Sequence, residues 1–148
     1  MAGVRGNMQE AIVLEFPLRE AEFETAGEAS SQIKQALAQL GIPAHINRRI
    51  VTSVYEAAMN VVIHAYRGVI QAKIFSDHTE VLVLDEGPGI ADIDLAMQLG
   101  YTTATKEIQA MGFGAGAGMV NIFRIPDECT IKSAIGVGTE ISLLVRHH

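Results

Sequence analysis

Three groups of residues have the types and spacing to do chemistry. Glu56, Asn60 and His64 follow one another at four-residue steps, which in a helix stacks them along one face. A carboxylate one turn from an amide oxygen suits a base beside a magnesium ion, because Mg²⁺ keeps several waters and needs few protein oxygens when phosphates supply the rest. A solvated helix face is the plainer account of any single acidic residue there. Asn60 weighs against it, since Asn is a poor helix-interior residue whose side chain competes for backbone hydrogen bonds.

The second group is Asp85-Glu86-Gly87-Pro88-Gly89-Ile90, directly after the apolar run 80–84. A strand that ends in an acidic residue and turns on two glycines brings bare backbone against a flat ligand, because glycine permits unusual φ values and close approach. The third is Gly112-Phe113-Gly114-Ala115-Gly116-Ala117-Gly118, with glycine at every second position. Such a run can curl so that successive N–H groups converge on phosphate oxygens, and a following helix adds its positive end. A flexible hinge is the alternative; Phe113 and the helix-like stretch 119–123 favour an ordered loop. Neither a Rossmann fingerprint nor a Walker A sequence is complete, since Ala117 stands where a third glycine is needed and no strand precedes Gly112.

The elements that must position these groups are legible in the apolar periodicity. A strand over 10–18 carries Pro17, which predicts a sheet edge or a strand end. Ala29, Ile33, Ala36, Leu37 and Leu40 recur at helical spacing, and Gly41 and Pro43 supply the stop. A second helix over 44–66 has Ile46, Ile50, Val54, Ala57 and Val61 on one stripe, with Glu56 well round from it. Strands over 69–75 and 80–84 join in a hairpin through residues 76–79. The stretch 91–118 reads as a lid, with a short helix over 93–99. A helix then starts within the glycine run and continues over 119–123. Strands over 129–134 and 139–145 flank the turn Gly136-Val137-Gly138. This order predicts one α+β domain over residues 1–148, a two-layer sandwich with helices on one face of a mostly antiparallel sheet and a loose N-terminus over 1–9.

Composition narrows the function. A chain of 148 residues, 49% hydrophobic, is long enough for one sizeable core. The net charge of -6 without a basic cluster argues against a nucleic-acid surface. No apolar run approaches membrane-spanning length. One cysteine, Cys129, and the lack of a charged-then-apolar leader predict a cytoplasmic protein. Cys129 reads as a small core residue, His64 as structural for want of further zinc ligands, and Met97, Met111 and Met119 as core or lid filler. His147-His148 match the remnant of an expression tag and are set apart from the fold.

Taken in order, ExxxN on a helix, DxGxG after a strand, GxGxG before a helix and Gly138-Thr139 entering a last strand, the chain resembles the GHKL ATP-binding superfamily over about Ser53 to Leu144. Residues 56–66 and 85–93 look most like the anti-sigma-factor serine/threonine kinases, and Gly100-Tyr101-Thr102-Thr103 is similar to their switch-kinase branch. The resemblance implies a Bergerat, histidine-kinase-like ATPase fold with a mixed, mostly antiparallel sheet. It further implies ATP and Mg²⁺ as cofactors. Asp85 would accept from the adenine amino group, Gly87, Gly89 and Ile90 would border the ring, and Thr139 would support it, by way of a water. Asn60 would bind Mg²⁺, residues 112–118 would wrap the phosphates and Glu56 would be the general base.

Lys106 is the one cation between positions 91 and 117, and is counted among the nucleotide-binding residues. The implied function is phosphorylation of an anti-sigma-factor antagonist-like protein in a partner-switching cascade, with a sigma factor or downstream regulator and a homodimer as further partners. Two alternatives share the site. One is a nucleotide-gated module that sequesters a sigma factor or adaptor without phosphoryl transfer; the other is plain ATP hydrolysis with water in place of the acceptor hydroxyl.

Overall fold

The computed structural model describes residues 11–90 and 118–148. Within them the chain runs β1 (Ile12–Arg19), α1 (Phe23–Gln39), α2 (Ala44–His64), β2 (Arg67–Ile74), β3 (His78–Glu86), α3 (Gly118–Arg124), β4 (Glu128–Ala134) and β5 (Gly138–Arg146). The expected loose N-terminus and the expected helix over 93–99 lie outside the described residues.

The strands form one sheet in the order β1-β2-β3-β5-β4, and each neighbouring pair is antiparallel. No parallel pair occurs among the described residues. Pro17, which has no N–H to give to a second neighbour, lies on β1 at the sheet edge, as its type predicts.

The expected α+β sandwich follows from alternation along the strands. Ile70, Ala72, Ile74, Val81, Val83, Ile141, Leu143 and Val145 are buried in one cluster with Ile33 and Leu37 of α1 and Ile50, Val54 and Val61 of α2. Successive strand residues point to opposite faces, so Gln71, Lys73 and Glu80 fall on the other face, where Gln71 Nε2 donates to Glu15 Oε2 at 3.2 Å. The predicted stripe of α2 is fully buried, and Ser53, Ala58, Met59 and Val62 widen it.

Two helix boundaries show why local chemistry is an uneven guide. The stop after α1 is as read. Gly41 takes φ +77°, its amide donates to Ala38 O at 3.1 Å, and the Ile42 amide reaches back to Leu37 O at 3.1 Å. These two bonds satisfy carbonyls that the helix end leaves unpaired. The start is earlier than the apolar spacing suggests. Residues 23–28 are helical, held from outside by the Ala21 amide donating to Val62 O of α2 at 2.9 Å.

His147 corrects the reading that set it apart from the fold. It is only 4% exposed, Thr79 Oγ1 lies 2.8 Å from its Nε2, and its amide donates to Asp77 O at 2.9 Å. It lies just past β5 at the end where the β2–β3 hairpin turns, and fills the space between them.

Candidate functional site

The site is built on one row across the sheet. Gly68 of β2 pairs with Asp85 of β3, Asp85 with Thr139 of β5, and Thr139 with Ser133 of β4. Directly paired residues share a face of the sheet, so these four side-chain positions line up on the helix side. The Thr139 amide donates to Asp85 Oδ1 at 3.1 Å. Ser133 Oγ lies 3.0 Å from Thr139 Oγ1 and accepts from the Ile90 amide at 2.7 Å.

Asp85 is half-buried. Burial pushes its carboxyl above the ordinary carboxylate range, and the Thr139 amide pulls it back. The amide bond occupies one oxygen and leaves the other able to accept from a ligand N–H.

Two glycines make this row possible. Gly89 has φ +78°, and a Cβ there would stand 2.5 Å from Ala134 O, so the turn after β3 closes onto the β4–β5 turn only without a side chain. Gly138 has φ +152°, and its Cβ would fall 2.0 Å from Asp85 O. The contact is completed by the Gly136 amide donating to Pro88 O at 3.0 Å and the Gly87 amide to Val137 O at 3.2 Å.

Helix α2 meets this end of the sheet at its last turn. The Tyr66 amide donates to Glu86 O at 2.9 Å, and Gly87 lies against Ala65. Glu56 and Asn60 are half-buried on α2, and neither side chain makes a hydrogen bond to another of the described residues. Burial raises the Glu56 carboxyl, which makes it a stronger base once ionised. His64 is half-buried and its imidazole is held down by the same effect.

Helix α3, which begins at Gly118 where the glycine run ends, is tied to α2 from its far end. Arg49 of α2 donates to Ile125 O through Nε at 3.3 Å and Nη2 at 2.8 Å, and pairs with Asp127 at 3.2 Å. The helix that follows the glycines and the helix that carries Glu56 and Asn60 are therefore fixed to one another. Lys106 and residues 112–117 lie outside the described residues. Cys129 is half-buried and packed against the core, its thiol pushed up to about 11 by burial, which keeps it an unreactive thiol.

Sequence reasoning missed two members of the row. Gly68 falls between the helix expected over 44–66 and the strand expected from 69, yet it lies inside β2; a Cβ there would come within 2.9 Å of Val61 Cγ1 and 2.5 Å of Leu84 O. Ser133 reads as an ordinary strand residue, and its role depends on an amide 43 positions away.

Residues 19–144 match the model of the histidine kinase-like ATPase domain. This chain belongs to that family. The match takes in every element from the end of β1 into β5, and family membership implies use of ATP. Among its relatives is the serine/threonine-protein kinase RsbT of Bacillus subtilis, 32% identical over 110 residues, which are 72% of this chain and 77% of RsbT. The anti-sigma F factor of Halalkalibacterium halodurans is 35% identical over 130 residues, 83% of this chain and 85% of that protein.

These relatives put the chain in the serine/threonine-kinase branch of the family. Solved structures agree on the fold. The RsbU and RsbW domains of Rv1364c from Mycobacterium tuberculosis superpose with a TM-score of 0.61 at 19% identity, covering 91% of this chain and 32% of that one. The mycobacterial sensor histidine kinase MprB gives a TM-score of 0.52 at 12% identity. Among the described residues no helix is long and apolar enough to cross a membrane.

Proposed function

We propose that this chain is an ATP- and Mg²⁺-dependent serine/threonine protein kinase of the partner-switching type, acting on a small protein of the anti-sigma-factor-antagonist kind. One observation carries the reading: the Asp85 carboxylate is fixed by the Thr139 amide at the end of β3, with its other oxygen left as an acceptor. That arrangement suits the exocyclic amine of adenine. The pair on α2 suits the other end of the nucleotide, since the Asn60 amide oxygen is a hard ligand of the kind Mg²⁺ takes and the Glu56 carboxylate, one turn away, can act as a base.

In this reading Asn60 holds Mg²⁺, which neutralises charge on the phosphates, and Lys106 with Gly112, Phe113, Gly114, Ala115, Gly116, Ala117 and Gly118 surrounds them. Gly87, Gly89 and Ile90 border the base. Glu56 takes the proton of the acceptor hydroxyl as its oxygen bonds to the γ-phosphorus and the bond to the ADP oxygen breaks. Such transfer depends mainly on alignment and charge neutralisation. The partners are the antagonist-like protein and a sigma factor or downstream regulator, the compartment is the cytoplasm, and a second copy of the chain completes a homodimer.

The test is to mix the protein with Mg-ATP and candidate antagonist proteins from the same genome and weigh each by mass spectrometry. A gain of one phosphate on a serine or threonine is expected. Intact nucleotide binding with no added mass on any of them would overturn phosphoryl transfer.

Lys106 as the one cation in positions 91–117 favours a second reading, a nucleotide-gated module that captures its partner without transferring phosphate. Glu56→Gln separates the two. A pure binding module keeps control of its partner in that variant, and a kinase loses it. Release of inorganic phosphate without any acceptor protein would instead identify plain hydrolysis.

A further inference from the structure

Ser133 has more neighbours than a hydroxyl can serve in an arbitrary way. Its Oγ lies 2.7 Å from the Ile90 amide, 3.0 Å from Thr139 Oγ1 and 3.2 Å from Gly138 O. A hydroxyl offers one hydrogen and two lone pairs. The Ile90 amide can only donate, so it takes one lone pair. Gly138 O can only accept, so it takes the hydrogen. The remaining lone pair must then receive the hydrogen of Thr139.

The reverse orientation, with Ser133 donating to Thr139, leaves the Gly138 contact without a hydrogen and is the poorer of the two. Thr139 is buried at 6% exposure, where a lost hydrogen bond is costly to replace.

We propose, on the ATP reading above, that Ser133 is a positioning residue for base selection: it commits the Thr139 hydroxyl to donate inward, so that Thr139 can only accept from a ligand or its water. Asp85 and Thr139 are direct partners on one face, and Asp85 Oδ1 is already engaged by the Thr139 amide. Toward a ligand the row therefore presents a carboxylate oxygen and a hydroxyl oxygen, both acceptors. Such a pair reads hydrogen donors. It accepts the 6-amino group of adenine and disfavours a 6-oxo purine, whose oxygen would face lone pairs. Without Ser133 the Thr139 hydroxyl is free to turn and donate, and the discrimination weakens.

The experiment measures the affinities of Mg-ATP and Mg-ITP, the 6-oxo analogue, by calorimetry. The proteins are wild type, Ser133→Ala, Ser133→Thr, Thr139→Val and the double variant Ser133→Ala with Thr139→Val. The affinity ratio of ATP to ITP is expected to fall about fivefold in Ser133→Ala, the scale of one hydrogen bond, and to recover in Ser133→Thr. In the Thr139→Val background, Ser133→Ala is expected to leave the ratio unchanged. A merely structural role would weaken both nucleotides alike.

Equal weakening, an unchanged ratio in Ser133→Ala, or a further fall in the Thr139→Val background would each overturn the proposal. Ser133→Cys, of similar shape with a weaker donor, gives the same readout if the alanine form does not fold. Absence of nucleotide binding by the wild type would remove the ATP reading and this inference together, which differs from an unchanged ratio in a protein that binds.

Discussion

The amide of Thr139 donates to Asp85 Oδ1 across 3.1 Å between two neighbouring strands. One backbone bond both orients the carboxylate and offsets part of the cost of burying it. Burial still wins, and Asp85 sits above its ordinary range. An acid whose folded pKa lies above its unfolded value contributes stability below the unfolded pKa and loses it as pH rises through the folded one.

Asp85→Asn is therefore expected to melt about 1–3 °C higher than wild type at pH 7, with the gain vanishing below about pH 4, where both side chains are neutral. Its ATP affinity is expected to drop at least about tenfold, because the Asn oxygen keeps the Thr139 amide and the NH₂ then faces the adenine amine. Thermal melts across pH and calorimetric titration check the two arms, and unchanged ATP affinity would remove the adenine contact.

On the proposed kinase reading Glu56 is the general base, and burial raises its carboxyl too. Glu56→Gln is expected to slow transfer by about 10²–10⁴-fold, the usual contribution of a positioned base, with ATP affinity within about twofold of wild type on the same principle. Asn60→Ala should instead remove the Mg²⁺ dependence of nucleotide affinity. Single-turnover transfer and titrations with and without Mg²⁺ distinguish these effects.

Gly89 and Gly136 both have φ near +78° and +77°, which gives an internal control. At Gly136 an added Cβ meets nothing within 4 Å, whereas at Gly89 it meets Ala134 O at 2.5 Å. Gly136→Ala is expected to cost about 1–2 kcal/mol of backbone strain alone. Gly89→Ala should cost roughly twice that through the added overlap and also weaken ATP binding, since the turn after β3 must move. Denaturant melts paired with titrations measure both, and equal costs for the two variants would contradict the close approach.

His147 gives the fold an acid-sensitive joint. Burial holds its imidazole below the ordinary histidine range, although the Ser76 carbonyl pulls the other way. A histidine with a depressed folded pKa stabilises above its unfolded value and loses that contribution as pH falls through the folded one. Wild type should therefore lose stability as pH falls below about 6.5, the unfolded histidine value. His147→Gln is expected to flatten that limb, while His147→Ala costs about 1–3 kcal/mol at pH 7 by leaving Thr79 Oγ1 buried without its partner. A melt series over that range is the measurement.

By itself the sequence determined what short-range chemistry controls. Pro17 marks an edge strand because it lacks an N–H. Gly41 ends α1 because it tolerates the left-handed turn. The four-residue steps of Glu56, Asn60 and His64 put them on one side of α2. The ordered boxes around Asp85 and Gly138-Thr139 fixed the family.

What only the tertiary structure decided is pairing at long range. Nothing near Ser133 in the chain announces that it will meet Ile90, nor near Gly68 that its missing side chain makes room for Val61 beside Asp85. Nor does a terminal His-His announce a buried partner for Thr79. Strand register and helix docking bring such residues together from tens of positions apart, and periodicity carries no record of which strand will lie beside which.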